Sequence, residues 1–189
     1  KDTSLLVNEA LARDENVLLE GAQATMLDID VGTYPFVTSS SPSAGGACLG
    51  AGISPVHVRE VFGVVKTYTS RVGSGPFPTE LMDEVGDWIV ERGNEYGTST
   101  GRRRRCGWID LVSLRYSARI NGFTGVALTR LDVLAGLNEL RLCVAYRLPD
   151  GTETSEYPLD TTVLANATPV YESMPGFEDE ISGARSFDE

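Results

Sequence analysis

Residues 64–90 read VVKTYTSRVGSGPFPTELMDEVGDWIV, and this stretch indicates the fold class. Residues 64–72 alternate between two faces, which predicts a strand, and the glycines and proline of 73–76 end it. A helix is then predicted to begin at Thr79–Glu80 and to stop at Gly93. A strand followed by a helix is the building unit of α/β proteins, so we expect that class.

The sequence after this stretch extends the same pattern. It predicts a helix over Trp108–Ile120 and a buried strand over Val126–Leu128. A longer strand over Leu140–Leu148 is followed by the turn sequence Pro149–Gly151, which leads into 152–157. We therefore expect an α/β fold with a mostly parallel or mixed central sheet, flanking helices and a β-hairpin near residues 140–157.

The two ends of the chain carry weaker signals. An amphipathic helix is predicted over residues 3–14, and Val17–Leu19 reads as a short buried strand. Ser54–Pro55 is typical of a helix start. The acidic stretch 172–189 predicts a poorly ordered tail. Together these features predict one partial domain over residues 1–189.

The overall charge excludes several classes of function. The 189 residues include 16 basic and 27 acidic side chains, a formal net charge of −11. Such acidity disfavours non-specific binding to nucleic acid and to anionic membranes. No stretch approaches the ~18 consecutive apolar residues of a transmembrane helix. Because 41% of the residues are hydrophobic, a packed core is expected.

The cysteines and the single histidine predict no metal site. Cys48, Cys106 and Cys143 form no CxxC pair, and His57 cannot complete a zinc set with them. Buried free thiols are typical of a reducing compartment, so we expect a cytoplasmic protein. His57 is interpreted as structural.

Four glycine-bounded segments could approach a small polar ligand through backbone N–H groups and short hydroxyls; they are residues 20–25, 32–40, 71–80 and 96–105. The last contains Arg102–Arg105, a guanidinium cluster suited to carboxylate or phosphate. Each glycine loop alone is consistent with an ordinary turn, and the arginines with a solvated charge run. However, flanking glycines at 101 and 107 fit poorly with a helix face.

A fifth segment, Leu128–Leu134, places an aspartate just after a predicted strand. The carboxylate of Asp132 could accept two hydrogen bonds from guanine, whose N1–H and exocyclic amine form an adjacent donor pair. Alternatively, Asp132 caps a helical turn or pairs with Arg130.

Together and in this order, these segments resemble adenylosuccinate synthetase, the family of ligases that join IMP and aspartate with GTP. The resemblance extends from about Leu19 to Gly176. It is carried by GAQATMLDIDVGTYPFVTSS (21–40), RVGSGPFPTE (71–80), YGTSTGRRRRCGW (96–108), LTRLDVL (128–134) and CVAYRLPDG (143–151). It implies a fold like that of P-loop NTPases, a homodimer, Mg²⁺ as cofactor and GTP as co-substrate.

The resemblance also implies which residues bind IMP. Gln23 corresponds to the glutamine that contacts the 6-position of the purine and is the one residue here with an implied catalytic role. Thr38 corresponds to the threonine that binds the 5′-phosphate. Val72 and Gly73 are implied to line the nucleotide pocket, and Arg102 to touch the nucleotide.

The aspartate and GTP sites are implied in the same way. The aspartate-binding loop corresponds to Thr98, Ser99, Thr100, Gly101, Arg102, Arg103 and Arg104. GTP is implied to contact Arg104, Arg130, Leu131 and Asp132, with Asp132 reading the guanine base.

The sequence departs from the family pattern at several positions. Ala24 stands where glycine is usual, Val31 where histidine is usual, Ser41 near a usual asparagine, and Arg130 where lysine is usual. Arg130 can still stack on a base. The family's GDEGKGK-type phosphate loop does not occur in these residues, nor do its catalytic aspartate, its catalytic histidine, its magnesium ligands or its C-terminal guanine-pocket segment.

Three functions are consistent with this pattern. The first is part of an adenylosuccinate synthetase, inactive alone and completed by an N-terminal portion. The second is a non-catalytic module that binds nucleotide or dicarboxylate. The third is a related ligase that acts on a guanine nucleotide.

Overall fold

The computed structural model describes residues 1–98, 101–178, 181 and 183–184. Within the predicted partial domain the chain divides into two compact units, Lys1–Gly63 with Ser117–Val126, and Val64–Tyr116 with Ala127–Glu189. The α-helices are α1 (Thr3–Ala12), α2 (Ala44–Ala51), α3 (Glu84–Gly93), α4 (Leu111–Asn121) and α5 (Thr161–Ala165). The strands are β1 (Phe62–Lys66), β2 (Tyr68–Arg71), β3 (Arg105–Asp110), β4 (Gly125–Thr129), β5 (Glu139–Arg147), β6 (Glu153–Thr154) and β7 (Thr168–Pro175).

The main sheet of the second unit is mixed, which agrees with the predicted fold class. Its strands follow the order β2-β3-β5-β6, and β7 pairs with β5 on the other side. The β3–β5 pairing is parallel, whereas β2–β3, β5–β6 and β5–β7 are antiparallel. The predicted hairpin is present, with Tyr146 opposite Thr154 and a turn closed by the hydrogen bond from Leu148 N to Thr152 O at 2.8 Å.

The helix predicted from Thr79–Glu80 begins later than expected. Asp83 caps α3 by accepting a hydrogen bond from Gly86 N at 3.0 Å. The preceding backbone is instead paired with β3, because Glu80 bridges Gly107 and Leu81 N donates to Cys106 O at 2.9 Å. A backbone committed to a strand neighbour cannot also form the first turn of a helix.

The helix predicted over Trp108–Ile120 is also shorter than expected. Residues 108–110 belong to β3, and α4 begins at Leu111. The carboxylate of Asp110 accepts hydrogen bonds from Val112 N and Ser113 N, both at 3.0 Å, and thereby satisfies the first amides of the helix.

Two hydrophobic clusters hold the second unit together. One joins Tyr68, Ile89, Val90, Cys106, Trp108, Val133, Leu134 and Leu140. The other joins Val112, Cys143, Tyr146 and Leu164, and here the buried Tyr146 hydroxyl donates to Asp110. All three cysteines are free and buried, as predicted.

Several other sequence predictions are wrong. Val17–Leu19 forms no strand in the described structure, and Leu18 is 91% exposed, since this run has no strand beside it to pair with. Strand β4 exists, but Val126 and Leu128 are exposed rather than buried. The predicted helix at Ser54–Pro55 is only a 3₁₀ turn over Pro55–His57, and its histidine is exposed.

The acidic segment 172–189 is not uniformly an unstructured tail. Its first four residues, 172–175, lie in β7, where Glu172 is opposite Leu142 and Pro175 opposite Glu139. Antiparallel pairing with β5 holds these four residues in the sheet despite the acidic composition of the segment. Residues 179, 180, 182 and 185–189 lie outside the described residues.

Gly107→Ala is expected to destabilise the chain by about 1–3 kcal/mol, because a β-carbon there would overpack the contact with residues 79–80. It would lie 2.0 Å from the carbonyl oxygen of Thr79. The free energy of unfolding in urea measures the change. In α2, where Gly50 has no neighbour within 4 Å of a β-carbon, Gly50→Ala is the matched control and should stabilise by about 0.5–1 kcal/mol. An unchanged urea midpoint for Gly107→Ala would show that residues 79–81 move away from the added methyl group at little cost in free energy.

Candidate functional site

The second unit contains an open cavity of about 480 Å³ beside the predicted arginine loop. It is lined by Lys66, Gly93, Asn94, Glu95, Tyr96, Gly97, Thr98, Arg104 and Arg130. Three of these side chains are cationic and one is a carboxylate, which leaves an excess of two positive charges. An anionic ligand fits such a lining best.

Glu95 organises the cations of this cavity. Its side chain is 2% exposed and accepts hydrogen bonds from Lys66 Nζ at 2.6 Å, Tyr68 Oη at 2.5 Å and Arg104 Nη1 at 2.8 Å. Burial alone would raise the pKa of Glu95, but these three donors lower it below its ordinary value. Glu95 is therefore a carboxylate at neutral pH and fixes where the cations lie.

Arg104 is held at both its backbone and its side chain. Its N–H donates to Glu95 O at 2.9 Å, in addition to the ion pair. Its buried Nε has no hydrogen-bond partner among the described residues. Because buried donors are nearly always satisfied, this N–H is a candidate for a ligand oxygen.

Arg130 lines the same cavity from the segment that precedes a 3₁₀ turn over Leu131–Leu134. Its backbone is left-handed, with φ of 66°, and its carbonyl accepts from Thr67 Oγ1 at 2.9 Å. The guanidinium Nη2 donates to Gly93 O at 2.5 Å, at the end of α3. These contacts hold Arg130 at the cavity.

The two residues after Arg130 do not line the cavity. Leu131 is exposed and Asp132 is half-buried. Neither alternative for Asp132 is observed, since the carboxylate neither caps the 3₁₀ turn nor pairs with Arg130 in the described structure.

The predicted aspartate-binding loop is closed by backbone hydrogen bonds. Gly97 N donates to Arg102 O at 2.8 Å, and Gly101 N donates to Gly97 O at 2.7 Å. Gly101 has a φ of 65°, which favours glycine. Thr98 lines the cavity. Ser99 and Thr100 lie outside the described residues.

The four arginines have different surroundings, although Arg103, Arg104 and Arg105 together line a second cavity of about 350 Å³. Arg103 pairs with Asp87 of α3, and Arg105 pairs with Glu80. Neither of these two lines the cavity around Glu95, whereas Arg104 does. Arg102 is exposed. The structure therefore assigns two of the arginines to carboxylates of the same chain.

Val72 and Gly73 follow directly after β2. Val72 is 60% exposed, and Gly73 has a φ of 78°. The carbonyls of Gly73 and Gly75 both accept from Arg105 Nη1, at 3.1 and 2.9 Å.

Gln23 and Thr38 belong to the first unit. Gln23 is exposed and has a left-handed backbone with φ of 61°. Thr38 N donates to Leu27 O at 2.8 Å, and its hydroxyl lies 2.7 Å from Ser40 Oγ.

A buried carboxylate shapes the loop around Thr38. Asp28 accepts from Asp30 N at 2.9 Å, Val31 N at 3.2 Å and Ser43 N at 3.4 Å. Burial would raise the pKa of Asp28, but these donors lower it. Val31, one of the departures noted above, thus contributes its backbone to the loop.

Sequence reasoning missed Lys66, Tyr68 and Glu95. The single strand predicted over 64–72 is wrong and hid two of them, because Lys66 ends β1 and Tyr68 begins β2, which belong to different sheets. Nothing local marked Glu95, which lies between a helix end and a glycine loop.

The described ranges contain neither a cluster of metal-ligating side chains nor a helix that could span a membrane. There, no group of three or more histidine, cysteine, aspartate or glutamate side chains is placed to hold a metal ion. No helix in those ranges is long and apolar enough to cross a membrane.

Comparison with known proteins gives one consistent result. A model of the family described as adenylosuccinate synthetase matches residues 1–189. Over 188 residues the chain is 58% identical to adenylosuccinate synthetase of Thermobifida fusca and 56% identical to that of Moorella thermoacetica. Each match covers 100% of this chain and 44% of the relative, so the chain spans less than half the length of these relatives.

Solved structures are similar as well. The structure of fully ligated adenylosuccinate synthetase from Plasmodium falciparum matches with a TM-score of 0.95 and 45% identity, over 100% of this chain and 45% of that one. Cyanophage S-2L succinoaminodeoxyadenylate synthetase, bound to dGMP and dATP, matches with a TM-score of 0.58 over 69% of this chain and 40% of that one. At 22% identity, the second match shows a shared fold only.

Proposed function

The chain belongs to the adenylosuccinate synthetase family, and from this premise we propose that it is the substrate-recognising part of a GTP-dependent ligase. The full-length protein would join IMP and L-aspartate to form adenylosuccinate, a step in AMP biosynthesis. The observation that carries the proposal is the 58% identity to a synthetase across the whole chain. The cationic cavity supports it, because both nucleotide substrates and aspartate are anions.

The cavity around Glu95 is proposed to receive GTP. Arg104 and Arg130 both line it, and the buried Nε of Arg104 is an unfilled donor among the described residues. Leu131 and Asp132 follow Arg130 directly, so a base placed next to Arg130 would lie near the Asp132 carboxylate. The unpartnered state of that carboxylate supports a role in reading guanine.

The remaining assignments concern IMP and aspartate. Gln23, Thr38, Val72, Gly73 and Arg102 are proposed to bind IMP, with Gln23 contacting the 6-position. The loop of residues 98–104 is proposed to bind aspartate. The backbone bonds that close this loop support the assignment, because they hold Thr98 at the cavity where a ligand can reach it.

We propose that the principal catalytic groups come from the rest of the full-length protein. We propose that GTP phosphorylates the 6-oxygen of IMP and that the aspartate amine then displaces the phosphate. Phosphoryl transfer depends on alignment and charge neutralisation, for which the family uses Mg²⁺. Among the described residues, no three or more histidine, cysteine, aspartate or glutamate side chains form a group that could hold a metal ion. This chain contributes binding and orientation.

The compartment, oligomeric state and partners of the protein are proposed from its family. We propose a cytoplasmic homodimer in its full-length form, with neither nucleic acid nor membrane as a partner. Three free, buried cysteines are consistent with a reducing compartment. The net charge of −11 disfavours anionic polymers as partners.

We expect the 189-residue chain alone to show no synthetase turnover, whereas the full-length protein that carries it should be active with GTP, Mg²⁺, IMP and aspartate. A spectrophotometric assay of adenylosuccinate formation measures both. If the chain turns over within about tenfold of the full-length rate, it holds the catalytic groups itself. A tenfold ratio corresponds to only ~1.4 kcal/mol in activation free energy. Nucleotide binding without turnover by the full-length protein would favour the non-catalytic module.

A further inference from the structure

We propose that Arg105 and Glu80 form a clamp that positions the Gly73–Gly75 segment for IMP binding. The inference deepens the proposed function and rests on it, because Gly73 is one of the residues assigned to IMP. Arg105 would not touch the substrate. It would act through the backbone of a segment that does, which makes it a positioning residue.

The Arg105 guanidinium makes four hydrogen bonds. Its Nε and Nη2 donate to the two carboxylate oxygens of Glu80 at 2.7 and 2.5 Å. Its Nη1 donates to the carbonyls of Gly73 and Gly75 at 3.1 and 2.9 Å. One planar fork therefore ties a carboxylate and a glycine segment into a fixed arrangement.

Both ends of the clamp are held by backbone structure. Arg105 begins β3 and is opposite Arg71 of β2. Glu80 bridges Gly107 of the same strand. The guanidinium carbon of Arg105 also lies 5.4 Å from the centre of the Phe77 ring. The clamp therefore has little freedom to rearrange.

The segment that it holds would otherwise be loose. Gly73 and Gly75 have φ values of 78° and 116°, which only glycine adopts readily. Between them, the carbonyl of Ser74 accepts from Arg71 Nε at 3.1 Å. Two arginines thus hold three consecutive carbonyls, and Arg105 holds two of them.

The Arg105–Glu80 ion pair is more buried than those ion pairs of the described structure in which the arginine is exposed. The Arg105 and Glu80 side chains are 30% and 21% exposed, compared with 58% and 51% for Arg147 and Glu153 in the hairpin. Exposed pairs contribute little, because water competes for them. Arg147 therefore provides a matched control with the same chemistry and no glycine segment to hold.

The clamp is also independent of the neighbouring GTP contact. Arg104 is anchored by Glu95 through both its backbone and its guanidinium, and none of these bonds involves Arg105. A change at Arg105 should therefore alter IMP binding and leave GTP binding unchanged.

The test is Arg105→Lys in the full-length protein. Lysine keeps the charge but has three donors on one nitrogen and cannot form the planar fork, so at least one of the four bonds is lost. We expect the KM for IMP to rise about tenfold while kcat and the KM for GTP stay within about twofold, the pattern of a lost uniform binding interaction. Amide hydrogen exchange across residues 73–77 should become faster in the same variant. Arg147→Lys should change none of these quantities.

Glu80→Gln is the second variant and keeps the test decisive if Arg105→Lys fails to fold. It removes the charged acceptor while leaving the arginine, and it should raise the KM for IMP in the same way. An IMP KM that stays within twofold in the folded variants would overturn the proposal. So would equal rises for IMP, GTP and aspartate, which would show general structural damage. If the unsubstituted full-length protein shows no turnover at all, the proposed function is wrong. Faster amide hydrogen exchange of residues 73–77 in Arg105→Lys would then show only that the clamp stabilises this segment.

Discussion

Asp132→Asn in the full-length protein is expected to raise the KM for GTP by a factor of about 30 to several hundred, while the KM for IMP hardly moves. The carboxylate would accept two hydrogen bonds from guanine, whereas asparagine has one acceptor and turns a donor toward guanine's own donors. Losing a charged acceptor and creating a donor clash costs about 2–4 kcal/mol. Each 1.4 kcal/mol corresponds to tenfold in affinity.

The surroundings of Asp132 make the measurement specific. The half-buried carboxylate has no hydrogen bond or ion pair with another described residue, so the substitution breaks no contact that the structure shows. Stability should therefore change little, and a kinetic effect would report ligand binding.

A second nucleotide provides the control. Xanthosine triphosphate carries a 2-oxo group that can accept a bond from the asparagine amide, so its use relative to GTP should improve in the variant. Asp150→Asn in the hairpin turn, where the carboxylate accepts from Thr152 N, should leave both nucleotides unchanged. A GTP KM that stays within a factor of two for Asp132→Asn would assign Asp132 to a structural role.

The elements that sequence predicts best are those whose signals are local. Strand β5 and its hairpin combine a long alternating run with a Pro-Asp-Gly turn, and both were found where expected. The starts of α3 and α4 were misplaced because long-range contacts decide them. Backbone pairing of residues 80–81 with β3 delays α3, and inclusion of Trp108 in β3 delays α4.

Some parts of the candidate site are likewise marked by local sequence, whereas others depend on long-range contacts. Glycines and arginines at 96–105 marked a ligand loop from sequence alone, but their pattern could not show which arginines are already paired. Asp87 and Glu80 lie 16 and 25 residues from the arginines that they neutralise. Glu95 was missed because its three donors come from β1, β2 and the arginine loop, which only the folded chain brings together.

Glu95→Gln is expected to destabilise the 189-residue chain by about 2–3 kcal/mol at neutral pH. Removing one member of a buried ion pair typically costs about 3–5 kcal/mol, since its partner is left uncompensated. The figure is reduced here because Lys66 and Arg104 remain 31% and 29% exposed and can regain water. The glutamine amide would also turn a donor toward groups that are themselves donors.

The pH dependence distinguishes charge from shape in this substitution. Because the folded-state pKa of Glu95 lies below its ordinary value of 4.5, its carboxylate stabilises the fold above that pH and the contribution is lost as pH falls through the lowered pKa. Urea unfolding of both chains from pH 7 down to pH 3 should therefore show the stability difference shrinking below about pH 4.5, the point at which the unfolded glutamate takes up its proton. Glu139→Gln, which breaks an exposed pair with Arg141, is the matched control and should hardly change the midpoint at pH 7. A Glu95→Gln difference that stays constant down to pH 3 would mean that side-chain packing, and not the ion pairs with Lys66 and Arg104, is what the substitution removes.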